Sequence, residues 1–120
     1  MTKEPETLKV GVAGGPVIDW NFYEIMYGER YMDTPEQNPE GYENADLKNY
    51  VTDIEGDLLI ISGYMDNVVV SQHSLTFLGE CIKEDVQIDF FTYPKQKHNV
   101  RGKDRIHLME KITHYFDEKL

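Results

Sequence analysis

Residues 57–66, Asp57-Leu-Leu-Ile-Ile-Ser-Gly-Tyr-Met-Asp66, decide the fold that we predict for this chain. The short apolar run Leu58–Ile61 is typical of a buried strand, and Ser62-Gly63 ends it. Asp66 follows almost at once. Functional side chains in open α/β sheets lie beyond the carboxyl ends of the strands. Asp66 therefore stands where an acid that orients a histidine would be placed.

A second apolar run, residues 87–93, is the next predicted strand, and the loop that follows it carries His98. Two adjacent parallel strands would bring Asp66 and His98 to the same edge of one sheet. An acid in that position holds the tautomer of the imidazole and stabilises its charged form, while the other ring nitrogen acts as a base. The pattern suggests an acid–imidazole pair, although for an arbitrary Asp and His in an α/β chain two separate surface residues are favoured.

The remaining segments predict an α/β fold of about three parallel strands flanked by helices, half of a doubly wound sheet. Its first strand would leave one edge of the sheet open, which favours self-association. The predicted elements are a polar lead-in at 1–7, a strand at Leu8–Ala13, a helix at 19–32 capped by Asp19, an irregular excursion at 33–49, a helix from Ser71 to about Glu84 with Leu75, Leu78 and Ile82 on one face, and a last helix capped by Asp104.

Composition excludes several classes of function. The chain has 120 residues, enough for one domain, and its 40% hydrophobic content is that of a folded protein. Its net charge of −10 argues against partners such as nucleic acid or anionic membranes. No apolar run approaches the roughly 20 residues of a membrane span. The single cysteine, Cys81, is interpreted as a buried small hydrophobe.

No cofactor or metal is expected. His107 and His114 lie two turns apart on one predicted helix, too far apart for one ion, and the chain has neither a His-Glu-x-x-His motif nor a cysteine pair. We interpret these two histidines and His73 as polar or half-buried helix residues.

The chain contains three serines, Ser62, Ser71 and Ser74, and none lies in the Gly-x-Ser-x-Gly turn that exposes a nucleophile in α/β-hydrolases. The predicted acid–imidazole pair therefore has no nucleophile in this chain to activate.

An aromatic stripe falls at Trp20, Tyr23 and Tyr27, the spacing of one helical face. It can be a core-facing stripe or the wall of a pocket, because tyrosine and tryptophan combine an apolar body with a polar group. Taken alone, these residues favour the core.

Several motifs together resemble the carboxyl-terminal part of the catalytic domain of the prolyl oligopeptidase family, in its dipeptidyl peptidase IV branch. The similarity extends from about Leu8 to Leu120, and the Glu-Arg-Tyr-Met sequence is its most specific part. The motifs are Lys9–Val17 with Asp19-Trp20, Tyr27-Gly-Glu-Arg-Tyr-Met32, Pro39-Glu-Gly-Tyr42, Asn49-Tyr50-Val51, Leu58–Asp66, Tyr93-Pro94 and His98.

This resemblance implies an α/β-hydrolase fold with a Ser, Asp, His triad in that chain order, in which Asp66 and His98 are the catalytic residues of this chain. It implies a peptide substrate from which the enzyme releases amino-terminal dipeptides whose second residue is proline or alanine. It also implies that the full-length parent protein is periplasmic, associated with the cell envelope, or secreted. It now favours a pocket wall for the aromatic stripe. The implied substrate-binding residues are Val17, Trp20, Tyr23, Tyr27, Asn67 and Val69.

The resemblance also implies what this single partial domain, residues 1–120, lacks: the nucleophile elbow and the amino-terminal propeller. Two alignments with the family are possible after Gly63. In the ungapped match, Val68 stands where the family has an asparagine that contacts substrate. In a match with one gap, Asn67 keeps that role and Met65 takes the position of the triad acid. Asn99 and Ser62 replace the glycine and histidine that are usual in the two loops.

Two other functions stay open. The substitutions at Ser62, Val68 and Asn99 fit a non-catalytic interaction or dimerisation domain that kept the hydrolase fold. A receiver-type signalling domain would need an acidic pair after the first strand, where this chain has Gly14-Gly15.

Overall fold

The fold is built on a sheet of three parallel strands in the order β1-β2-β3. The structure, a computed structural model, describes Met1 and residues 5–120. The predicted lead-in lies partly outside the described residues, and its last three residues, Pro5–Thr7, form a 3₁₀ turn. The helices and strands are β1 (Val10–Gly14), α1 (Ile25–Met32), α2 (Pro39–Ala45), β2 (Asp57–Gly63), α3 (Gln72–Lys83), β3 (Asp89–Tyr93) and α4 (Lys103–Lys119), with further 3₁₀ segments at Trp20–Phe22 and Leu47–Asp53.

The apolar run Leu58–Ile61 lies in the central strand of this sheet. β2 pairs in parallel with β1 through Val10–Asp57 to Gly14–Ile61, and with β3 through Leu59–Asp89 to Gly63–Tyr93. The three-stranded parallel sheet with flanking helices confirms the predicted fold class.

Both faces of the sheet are covered, as a parallel sheet requires. On one face, Leu59 and Ile61 pack with Tyr93, Val100 and Tyr115, so α4 covers this side. On the other face, the buried residues come from β2, α3 and the two segments that precede β2: Ile18, Val51, Ile60, Phe77 and Cys81. Cys81 is fully buried, as predicted.

The predicted helix at 19–32 is wrong as one element. Asp19 caps only the 3₁₀ turn Trp20–Phe22, because its carboxylate accepts the backbone N–H of Asn21 at 2.9 Å. Tyr23 is extended (φ −90°, ψ 168°), which interrupts the helix, and α1 begins two residues later at Ile25.

The prediction of an irregular segment at 33–49 is wrong for Pro39–Ala45, which form the helix α2. Asn38 accepts the N–H of Gly41 at 3.1 Å and Pro39 follows as the first helical residue, which is a strong start signal for a helix. The last helix is also capped differently: Gly102 is the N-cap of α4, and Asp104 lies inside the first turn.

α3 has the predicted bounds, but the face that it buries is not the Leu75, Leu78, Ile82 face. Its buried residues are His73, Ser74, Phe77 and Cys81. Leu75 and Ile82 are 50% and 71% exposed. α3 therefore presents a second, apolar face outward.

Candidate functional site

The loops after β2 and β3 are joined by their backbones. Tyr64 donates its N–H to the carbonyl of Tyr93 at 3.0 Å, and Met65 donates to the carbonyl of Gln96 at 3.0 Å. A Cβ on Gly63 would overlap the carbonyl of Lys97, so only glycine allows the second loop to lie this close. These contacts bring the turn that carries Asp66 beside the loop that carries His98.

Asp66 and His98 form a hydrogen bond of 2.8 Å between Oδ2 and Nδ1. The other carboxylate oxygen, Oδ1, accepts the backbone N–H groups of Val68 at 2.8 Å and Val69 at 2.9 Å. The Asp66 side chain is 1% exposed and that of His98 is 39% exposed. The acid is therefore fixed in the protein, while the imidazole reaches the surface.

This geometry defines the tautomer of His98. An ionised carboxylate is only an acceptor, so the Nδ1 of His98 carries the hydrogen that is donated to Asp66. Nε2 has no hydrogen-bond partner among the described residues. The arrangement can therefore present Nε2 as a proton acceptor towards solvent or another group.

Gly15 lies directly beneath this pair. Its N–H donates to the carbonyl of Ile61 at 2.8 Å, and its φ is +55°. A Cβ at this position would stand 3.0 Å from Cε1 and 3.1 Å from Nδ1 of His98. The position requires glycine for two reasons: its left-handed backbone and the closeness of the imidazole ring.

The predicted aromatic residues form one cluster even though the helix is interrupted. The rings of Trp20 and Tyr27 are stacked with centroids 5.9 Å apart, and Tyr23 contacts both rings edge-on at 5.2 and 5.4 Å. Tyr31 extends the cluster from Tyr27 at 5.1 Å. Tyr27 is 48% exposed, so the cluster lies at the surface rather than in the core.

The other predicted substrate-binding residues lie on two segments. Asn67 and Val69 belong to the turn of Asp66; Asn67 is exposed and Val69 is buried. Val17 is half-buried, two residues before the cap of the 3₁₀ turn. A cavity of about 440 Å³ beside His98 is lined by Gly14, Gly15 and residues of α4, and none of the aromatic cluster lines it. The structure thus joins Asp66 to His98, and the aromatic residues to one another, while the cavity beside His98 includes none of the aromatic cluster.

His73 departs from the sequence-based interpretation, because it is fully buried. Its Nδ1 accepts the N–H groups of Ile18 at 3.1 Å and Asp19 at 3.3 Å, and burial lowers the pKa of its imidazole. His73 therefore fastens the segment that leads into the aromatic cluster to the start of α3. No sequence signal indicates this contact, since the partners are backbone groups 54 and 55 residues away.

Asp19 and Lys48 form a second, partly buried contact that the sequence did not indicate. Lys48 Nζ lies 3.0 Å from Asp19 Oδ2 and also 5.1 Å from the ring centroid of Phe22. Burial acts to raise the pKa of Asp19, but hydrogen bonds from Asn21 and Lys48 outweigh it, and the pKa is lowered. This ion pair holds the 3₁₀ turn of Trp20 against the segment before β2.

The described residues include no cluster of His, Cys, Asp or Glu that could hold a metal ion. Likewise, no helix among them combines the length and the apolar character that crossing a bilayer requires.

Known proteins resemble this chain over nearly its whole length. The model of the prolyl oligopeptidase family matches residues 1–120. A protein described as "Probable dipeptidyl-aminopeptidase B" from Aspergillus oryzae is 42% identical over 97 residues, which are 79% of this chain and 11% of that protein. The Neurospora crassa protein of the same description is 38% identical over 115 residues, which are 92% of this chain and 12% of that protein.

Solved structures agree with this. The crystal structure of "a putative dipeptidyl aminopeptidase IV" from Bacteroides ovatus is 57% identical with a TM-score of 0.98, and covers 100% of this chain and 17% of that one. The crystal structure of Porphyromonas gingivalis dipeptidyl peptidase 4 is 31% identical with a TM-score of 0.95, and covers 99% of this chain and 17% of that one. The chain thus spans less than a fifth of each of these relatives. From its sequence, its sheet and these matches, we conclude that the chain belongs to the prolyl oligopeptidase family.

Proposed function

We propose that this chain is the carboxyl-terminal part of the catalytic domain of a dipeptidyl peptidase IV-like serine exopeptidase. The parent enzyme would release dipeptides with proline or alanine second from the amino terminus of peptides. The observation that carries the proposal is the 2.8 Å hydrogen bond from His98 to an Asp66 carboxylate that two backbone N–H groups also hold.

In this mechanism a serine outside residues 1–120 attacks the scissile carbonyl, and Nε2 of His98 takes its proton. Asp66 keeps Nδ1 protonated and stabilises the imidazolium, which then gives its proton to the leaving amine. Water attacks the acyl-enzyme in the second half of the reaction, again with His98 as base.

The serines of this chain do not suit the role of nucleophile. Ser62 and Ser74 are buried, and the Oγ of Ser62 donates to Thr92 at 3.3 Å. None of the three serines is hydrogen-bonded to His98 in the described part of the chain. The 120-residue chain should therefore supply the acid and the base of the triad and be inactive by itself.

The aromatic cluster would form the wall of the pocket for the proline ring. Its support is the mutual contact of Trp20, Tyr23 and Tyr27 and the exposure of Tyr27. Flat aromatic faces suit a compact, apolar pyrrolidine ring. Val17, Asn67 and Val69 are the other residues that we propose to bind substrate.

The first experiment uses the chain itself. Incubated with Gly-Pro-p-nitroanilide, it should give no turnover above buffer, and a fluorophosphonate probe should not label it. Turnover, or labelling of Ser62, Ser71 or Ser74, would contradict the proposed division of the triad.

The second experiment uses the parent enzyme. Asp66→Asn should lower kcat by about 10⁴, because the amide would favour the wrong tautomer of His98. Asp53→Asn, the same chemical change at an exposed acid, should leave the rate unchanged. An Asp66→Asn enzyme that works at the normal rate would show that the pair is not catalytic.

A second candidate is a non-catalytic interaction or dimerisation domain. Two features favour it: β1 pairs only with β2 among the described strands, and α3 presents the exposed side chains of Leu75 and Ile82 outward. An open strand edge is a template for pairing with another chain. Size-exclusion chromatography with light scattering at tens of micromolar should then show self-association, and a clean monomer would count against it.

A further inference from the structure

The loop around His98 is cationic in an otherwise acidic chain. Residues 95–105, the loop before α4 together with the first three residues of that helix, hold five of the twelve lysines and arginines and one of the 22 acids. We call this segment the basic loop. The five cations, Lys95, Lys97, Arg101, Lys103 and Arg105, are all exposed. A chain with a net charge of −10 that concentrates positive charge at one place is suited to attract anions there.

The basic loop borders a cleft of about 520 Å³ with a one-sided charge. Its lining includes Lys95, Lys97 and Arg101 together with His98, and contains no Asp or Glu. The opposite wall is formed by Asn67 and Val68, from the turn of Asp66. The cleft is therefore positive, and it opens beside the acid–imidazole pair.

These cations are not neutralised within the described structure. None of the five side chains forms an ion pair with a described residue. The one acid of the loop, Asp104, accepts a hydrogen bond from the side chain of Gln96 at 2.9 Å. The charge of the cleft is thus available to a ligand.

The positive charge of the cleft affects the two parts of a peptide substrate differently, because it repels an ammonium group and attracts a carboxylate. A substrate whose first two residues are released must bring its terminal ammonium group close to the catalytic centre, and a positive cleft repels that group. The other product begins with the amine that His98 protonates, and a chain advances at most about 3.6 Å per residue. Acidic groups one to three residues beyond the cleaved bond therefore come within reach of the basic loop.

We propose that the basic loop is a specificity determinant that selects peptides with an acidic side chain on the leaving side of the cleaved bond. This inference rests on the proposed function, since it requires His98 to be the catalytic base. Exposed pairs of opposite charge contribute modestly. Two or three such charge pairs between the basic loop and the peptide should together raise kcat/KM for an acidic peptide roughly threefold to tenfold over its neutral counterpart.

The test uses the parent enzyme and two peptides of equal size, Gly-Pro-Ala-Glu-amide and Gly-Pro-Ala-Gln-amide, with release of Gly-Pro followed by chromatography. We expect the Glu peptide to be cleaved with the higher kcat/KM. Because the Debye length falls from about 10 Å at 0.1 M salt to about 3 Å at 1 M, the preference should fade as sodium chloride is added. Equal kcat/KM for the two peptides at low salt would overturn the inference.

Variants separate the loop from the net charge of the protein. Lys95→Gln with Lys97→Gln should reduce the Glu/Gln ratio towards one. Lys9→Gln with Lys83→Gln, the same two changes at exposed lysines outside the basic loop, should keep the ratio of the unmodified enzyme. A ratio that falls equally in both variants would show that the loop is not responsible. If neither peptide nor Gly-Pro-p-nitroanilide is cleaved, the proposed function itself is wrong.

Discussion

Gly15→Ala tests how tightly the acid–imidazole pair is enclosed. The added Cβ would meet Cε1 of His98 at 3.0 Å and Nδ1 at 3.1 Å, and it would stand 3.6 Å from Oδ2 of Asp66. The ring would have to move by a few tenths of an ångström, which weakens its hydrogen bond to Asp66. The substitution also places a side chain on a backbone with φ +55°.

The expected loss of stability has two sources. A left-handed residue with a Cβ costs about 1–2 kcal/mol, and a weakened hydrogen bond to a charged group adds about 1–2 kcal/mol. The sum is about 2–4 kcal/mol, which at about 4 °C per kcal/mol lowers Tm by about 8–16 °C for a domain of this size.

Two other glycines supply the controls. Gly102 has φ +66° and ψ −142°, and a Cβ added there would have no heavy atom within 4 Å, so Gly102→Ala has a backbone cost of its own without crowding the imidazole. Gly14 lies in β1 without a positive φ and also has open space, so Gly14→Ala should be close to neutral.

The assay is thermal unfolding of the three variants, together with NMR of the His98 ring. The downfield signal of the Nδ1 proton should shift in Gly15→Ala and stay in place in Gly102→Ala. If Gly15→Ala leaves the His98 signals unchanged, the ring does not rest on Gly15, and the reasoning about the enclosed pair is refuted.

Three further predictions concern the body of the domain. Ile60→Ala, at 1% exposure, should cost about 2–5 kcal/mol in a urea titration, whereas Ile82→Ala, at 71%, should stay within about 0.5 kcal/mol; equal losses would contradict the assigned burial. Burial raises the pKa of Cys81 to about 11, so Ellman's reagent should react with it only after unfolding, and rapid labelling of the native chain would oppose this. Because the pKa of His73 is lowered on folding, the unfolded chain binds more protons below about pH 6.5, and stability should fall there as the pH decreases. His73→Gln should make the urea midpoint less dependent on pH between about 7.5 and 5.5, and an unchanged dependence would exclude His73 as its source.

The central strand could be predicted because it depends on a local signal, whereas the strand-end positions of Asp66 and His98 only suggest their pairing and the family resemblance makes it the expectation. A short apolar run ending in Ser62-Gly63 indicates a buried strand, and parallel strands place their following loops at one edge. The hydrogen bond between the two side chains agrees with that expectation, and their catalytic role stays a prediction.

The errors arise where one local signal competes with another. Pro39 lies in a stretch whose prolines and acids favour an irregular segment, yet after Asn38 it begins α2. Asp19 has the position of a cap for a long helix, but its carboxylate is shared between Asn21 and Lys48 and closes only a 3₁₀ turn. Asp19 and Lys48 are 29 positions apart, and no local signal links them.

The helical spacing of the aromatic residues predicts that their rings meet, even though the predicted single helix is wrong. Trp20, Tyr23 and Tyr27 have helical spacing, and their rings do meet, although Trp20 belongs to a 3₁₀ turn and Tyr27 to α1. Conversely, the outward face of α3 has helical spacing without being the buried one, because His73 and Phe77 occupy the side towards the sheet. Periodicity identifies an apolar face, but only tertiary contacts decide what covers it.

The two loop-to-loop bonds, from Tyr64 to Tyr93 and from Met65 to Gln96, are made entirely by peptide groups, which every residue except proline can supply. Mutation can therefore alter the side chains of these loops without separating the carboxylate from the imidazole. The charge that surrounds the pair, as in the basic loop, is therefore not fixed by the contacts that hold the two loops together.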